Sequence, residues 1–101
     1  NTFPLEYKKI IPLEKKLNKE NNPPNFQVEF FNDQQNIKNI NCFSNEGDNW
    51  RNSDISFLEN NVLQIRISEK FVGERGRINC SLREEYGFWR WLGIQFVISE
   101  L

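Results

Sequence analysis

From Phe26 onward, apolar and polar residues alternate with a period of two, the spacing of strands that bury one face. Phe26, Val28 and Phe30 fall on one side of a first strand over 26–31, and 32–36 read as a turn. A second strand is expected over 37–43, with Ile40 and Cys42 together, followed by a polar loop over 44–52 that carries Gly47 and Trp50. A short strand at 55–58 precedes a cleanly alternating one at 62–68, with Leu63, Ile65 and Ile67 inward and Gln64 and Arg66 outward. Asn60-Asn61 between them can take the positive φ values of a tight hairpin. After a turn over 73–76, residues 77–82 bring Ile78, Cys80 and Leu82 to one face. The final strand, 88–98, has two candidate faces. Phe88, Arg90, Leu92, Ile94, Phe96 and Ile98 form the apolar one, with Arg90 the misfit; Trp89, Trp91, Gly93, Gln95, Val97 and Ser99 form the other. Arg90 fits there at the sheet's end with its head in water, or after a bulge that switches the register.

The strand–turn–strand unit from Arg77 to Ile98 is the centre of this pattern, holding one of two cysteines and two of three tryptophans. Six or seven short strands separated by turn signals predict an all-β chain: an antiparallel β-sandwich, immunoglobulin-like, with a short N-terminal arm or helix. A small barrel is the alternative. Residues 1–22 are set apart as a linker or N-terminal arm. Leu5, Ile10, Leu13 and Leu17 could line a short helix, which Pro12 would confine to 12–19. The breaker run Asn21-Asn22-Pro23-Pro24-Asn25 marks the start of a sandwich domain over 23–101.

Composition narrows the function. One domain of 101 residues with 14% aromatic content can build a core. A net charge of −1 leaves no overall cationic field for nucleic acid or an anionic membrane. No apolar run is long enough to span a bilayer. The chain begins at Asn1 and contains no Met, so it reads as a fragment, a processed chain or an excised domain.

The chain has no His, which removes the commonest general base and metal ligand. Neither a metal nor another cofactor is expected. Glu84 and Glu85 read as a solvated turn rather than a catalytic pair. Asn45, Glu46, Asp48 and Asn49 are rich in oxygen but lack calcium-loop spacing. Cys42 and Cys80 both fall on inward faces, either as a disulfide across the sandwich or as two buried thiols. Asn79-Cys80-Ser81 matches a glycosylation acceptor, with an inward Cys at its centre. Arg75, Arg77, Arg83 and Arg90 place cations around the hairpin, to pair with Glu74, Glu84 and Glu85 or stack on Trp, with an anionic ligand site as the lesser alternative. The aromatic residues carry the remaining signal. Trp89 and Trp91, two apart on a strand, share a face, with Gly93 and Gln95 beyond and Tyr86 and Trp50 in flanking loops. Rings beside hydrogen-bonding side chains can grip a sugar; core packing is the competing use.

Pro23-Pro24, Cys42 followed by an aromatic, Gly76-Arg77-Ile78-Asn79-Cys80-Ser81 and Gly87-Phe88-Trp89-Arg90-Trp91 resemble the accessory domain that follows the catalytic domain in some bacterial polysaccharide deacetylases. The likeness covers 23–98 and is distinctive over 76–91, with Ser81 where Thr is usual in that family. It implies a non-catalytic β-sandwich in a periplasmic, cell-envelope or secreted protein, with residues 1–20 as the exit from the catalytic domain. The family's active-site Asp and two His cannot be carried over to a chain without His. Two functions are therefore expected. In one, the domain binds or positions carbohydrate for the attached catalytic domain, with Trp50, Tyr86, Trp89 and Trp91 stacking and Arg90 and Gln95 hydrogen-bonding. In the other, it is a structural or protein-docking sandwich with its Trp residues buried against a neighbouring domain.

Overall fold

A computed structural model describes residues 2–18, 24–31, 37–46, 49–67, 75–83 and 87–99. The described residues form ten strands: β1 (Thr2–Pro4), β2 (Lys9–Ile11), β3 (Lys16–Asn18), β4 (Asn25–Glu29), β5 (Asn41–Glu46), β6 (Asn49–Asn52), β7 (Asp54–Glu59), β8 (Val62–Arg66), β9 (Arg75–Arg83) and β10 (Trp89–Ser99). They make two sheets. The smaller runs β2-β4-β8-β7 and is antiparallel throughout. The larger runs β1-β10-β9-β5-β6, with β3 also on β10. The nearly all-strand, layered character expected from the two-residue period is present.

Alternation explains the layers. Phe26 and Val28 on β4, Leu63 and Ile65 on β8, Ile78, Cys80 and Leu82 on β9, and Leu92, Ile94, Phe96 and Ile98 on β10 are all buried in one core. Each fully buried side chain of this size contributes about 1.5–3 kcal/mol. Phe26 and Phe96 meet edge to face across the core at 5.4 Å. Ile37 and Ile40 are buried as well, but residues 37–39 form a single 3-10 turn and the strand begins only at Asn41. The polar loop expected over 44–52 is largely a hairpin, in which Asn45 pairs with Trp50 and Phe43 with Asn52. Polar side chains conceal this strand pair because β6 is exposed along its whole length.

The N-terminal segment is strand rather than helix. β1 and β3 run parallel to opposite ends of the same edge of β10, with Thr2 opposite Trp89 and Lys16 opposite Val97. Between them the chain crosses to the other sheet, where β2 pairs with β4. Leu5, Ile10 and Leu17 enter the core while Leu13 stays 77% exposed, so the four leucine and isoleucine positions do not act as one helical stripe. Residues 12–15 make a turn instead, with the Lys15 amide donating to the Pro12 carbonyl at 3.0 Å and Lys15 at φ 54°. The end of the expected helix at Lys19 and most of the 21–25 breaker lie outside the described residues, as does the turn over 32–36.

Two turn expectations also change. Neither Asn60 nor Asn61 takes positive φ; a register shift between Phe57 and Glu59 accommodates that hairpin, and the Asn61 side-chain amide donates to the Phe30 carbonyl at 2.9 Å. Gly76 belongs to β9, opposite Phe96, rather than to a turn.

Cys42 and Cys80 are bonded, but within one sheet rather than across the sandwich. They stand directly opposite each other on β5 and β9, with Cα atoms 4.0 Å apart. Alternation places both side chains inward; it carries no information about whether the two strands face each other or lie side by side.

Candidate ligand-binding face

Register places the outward residues of the larger sheet in rows across its strands. One row runs Trp91, Ser81, Asn41; the next Gly93, Asn79, Phe43, Asn52. A third joins Gln95 to Arg77, whose amide donates to the Asn45 side chain where the β5–β9 ladder ends, and Asn45 pairs with Trp50. Trp89 pairs with Arg83 in the row before them. The aromatic positions Trp89, Trp91, Phe43 and Trp50 thus step diagonally from β10 to β6. Strand spacing and rise give that diagonal a length on the order of 25 Å. All four are exposed, with Trp89 at 39%, Trp91 at 46% and Trp50 at 50%.

The rings are held rather than loose. Trp89 and Trp91 lie 6.2 Å apart with planes tilted by 30°. The Arg83 guanidinium sits 5.9 Å from the Trp89 ring centre, a cation–π distance. Between the aromatics, amides fill the surface: Asn41, Asn79, Asn52 and Asn45. The Arg77 Nε donates to Asn79 Oδ1 at 3.1 Å. Its guanidinium reaches across to Gly93, where an added Cβ would stand 3.3 Å from Arg77 Nη2. The space that Gly93 leaves is therefore occupied by a cation from the neighbouring strand.

The outer face of the smaller sheet has a different character. Its central rows are Ile11, Gln27, Gln64, Ser56 and Lys9, Glu29, Val62. Lys8 pairs with Glu29 at 3.5 Å and Arg66 with Asp54 at 3.8 Å. These exposed pairs contribute little to stability, and they make this face an ordinary solvated surface.

Of the six candidate binding residues, Trp50, Trp89, Trp91 and Gln95 share the outer face of the larger sheet. Arg90 does not. Register runs unbroken along β10, with no bulge, and turns Arg90 to the opposite side, where its guanidinium lies 5.8 Å from the Phe3 ring and donates to the Pro4 carbonyl at 3.4 Å. It tethers β1 at the sheet's end. Tyr86, with Glu84 and Glu85, lies outside the described residues, as do Gly47 and Asp48 of the oxygen-rich loop. Asn79 of the acceptor tripeptide faces outward, but its side chain is engaged by Arg77 and Ser81 is buried. Phe43 and Asn79 carry no ligand signal in the sequence, and Arg77 stands there only as one of four cations around the hairpin. Alternation within β5 and β9 puts them on one surface with the Trp residues only once the strand order is known.

A cleft of ≈ 520 Å³ opens beside the third row, lined by Glu14, Lys15, Asn45, Arg75, Gly76, Arg77, Gln95, Phe96 and Val97. No group of three or more potential metal ligands occurs among the described residues, and no helix among them is long and apolar enough to cross a membrane. No protein family, curated protein or solved structure matches this chain.

Proposed function

We propose that this domain is a non-catalytic, immunoglobulin-like sandwich that binds an extended polysaccharide along the outer face of its larger sheet. The diagonal of exposed rings with amides between them carries the reading. Sugar C–H faces stack on rings, and hydroxyls need donors and acceptors beside them. A flat sheet face suits a chain rather than a single small molecule. The contrast with the polar face of the smaller sheet supports an assigned role for this side. The finer fold reading is supported by the chain path: β2-β4-β8-β7 packed on β10-β9-β5-β6 follows the order of an immunoglobulin sandwich whose first strand divides between the sheets. The phrase at 76–91 that resembles the deacetylase accessory domain supports a glycan ligand, an envelope or exported setting, and a catalytic domain elsewhere in the parent chain.

Titration with a panel of oligosaccharides, N-acetylated ones included, tests this through Trp fluorescence. Binding should weaken at least about tenfold in Trp91→Ala and in Trp50→Ala, the scale of losing one well-packed aromatic contact, with thermal unfolding little changed. Silence of the wild-type protein across the panel would favour the protein-docking alternative.

A further inference from the structure

We infer that the cleft at the Trp50 end of this face selects an acidic polysaccharide, taking the oxyanion substituent of one sugar while its ring lies toward Trp50. The inference rests on the glycan-binding reading and names its ligand class.

Donor supply is the first argument. Two lining residues are held in place: Asn45 Oδ1 accepts from the Arg77 amide, and Arg77 Nε donates to Asn79 in the neighbouring row. An amide whose oxygen is engaged presents its NH₂, and a guanidinium held at Nε still presents its Nη donors. Arg75 and Lys15 also line the cleft. Against these donors the described lining offers one carboxylate, Glu14, and none of Lys15, Arg75 and Arg77 is in an ion pair among the described residues. A site so rich in donors calls for a ligand rich in acceptors and negative charge.

Position is the second. Gln95 and Arg77 lie in the row that ends, through Asn45, at Trp50, so Lys15, Arg75 and Arg77 gather at the end of the diagonal away from Arg83 and Trp89. The volume, ≈ 520 Å³, falls within the range of roughly 300–1,000 Å³ usual for ligand pockets. The cationic charge is local in a chain of net charge −1. That favours a polymer with oxyanions spaced along a sugar backbone over the dense, continuous charge of nucleic acid.

Titration calorimetry with polygalacturonate, a sulfated galactan, a neutral chito-oligosaccharide and polyglutamate tests the assignment. Wild-type protein should bind polygalacturonate or the sulfated galactan at least about tenfold more tightly than the neutral chain; which of the two is preferred identifies the oxyanion. The preference should shrink between about 20 and about 300 mM NaCl, and polyglutamate should not bind. Arg75→Gln, and Lys15→Gly, which suits the left-handed turn, should each bring acidic-glycan affinity down toward the neutral value, with unchanged melting temperatures. Equal affinity for acidic and neutral chains, or indifference to both substitutions, would overturn the inference while leaving the glycan face standing. Equal binding of polyglutamate would reduce it to charge alone. Failure of every glycan to bind would remove both readings together.

Discussion

Gly76 faces Phe96 across the β9–β10 ladder, and an added Cβ would run into the Phe96 ring. That ring is buried against Phe26, so it has little room to swing aside. We expect Gly76→Ala to cost about 1–3 kcal/mol, as overpacking does, read as a lower urea midpoint. An unchanged midpoint would show that the ring relocates freely. The strand period alone told which side of β10 the tryptophans take, because two-residue spacing is a local property. It could not tell that the guanidinium of Arg77 lies over Gly93, since that depends on which residue stands opposite. Arg90 shows the same limit. Its misfit was legible, but its partners Phe3 and Pro4 belong to a strand more than eighty positions away.

At the scale of elements, the N-terminal segment holds the two sheets to each other. It contributes Leu5, which follows β1, Ile10 of β2 and Leu17 of β3 to a shared core. Leu17→Ala should therefore cost about 2–5 kcal/mol, as other buried truncations do. Leu13→Ala, four residues earlier on an exposed turn, should change stability by no more than about 0.5 kcal/mol. Chemical denaturation of the two variants side by side checks this, and equal effects would mean that the segment is not docked. Strands of three residues separated by proline and charge leave almost no periodic trace, which is why the segment reads as an arm or helix from sequence. The β5–β6 hairpin was hidden for a related reason. With β6 exposed throughout, no apolar alternation marks it, although Trp50 at its centre belongs to the candidate site.

For the whole molecule, the disulfide between Cys42 and Cys80 closes a loop of 38 positions. In the chain-entropy account such a closure is worth about 4 kcal/mol. Replacing both cysteines with alanine should lower the unfolding free energy by up to that amount. A bonded pair is compatible with an extracellular location. Mass measurement after alkylation, with and without a reductant, should detect thiols only when the reductant is present. The edges of the larger sheet matter at this scale too. β6 ends one side with four residues, while β1 and β3 occupy both ends of the other. A sheet edge left open invites pairing with other chains. A proteolytic cut that released residues 1–18 would uncover one edge of β10, the longest of the described strands, and turn a guarded edge into a template for fibrils. Light scattering after such clipping should rise with time, and the intact chain, held at the same concentration, should stay clear.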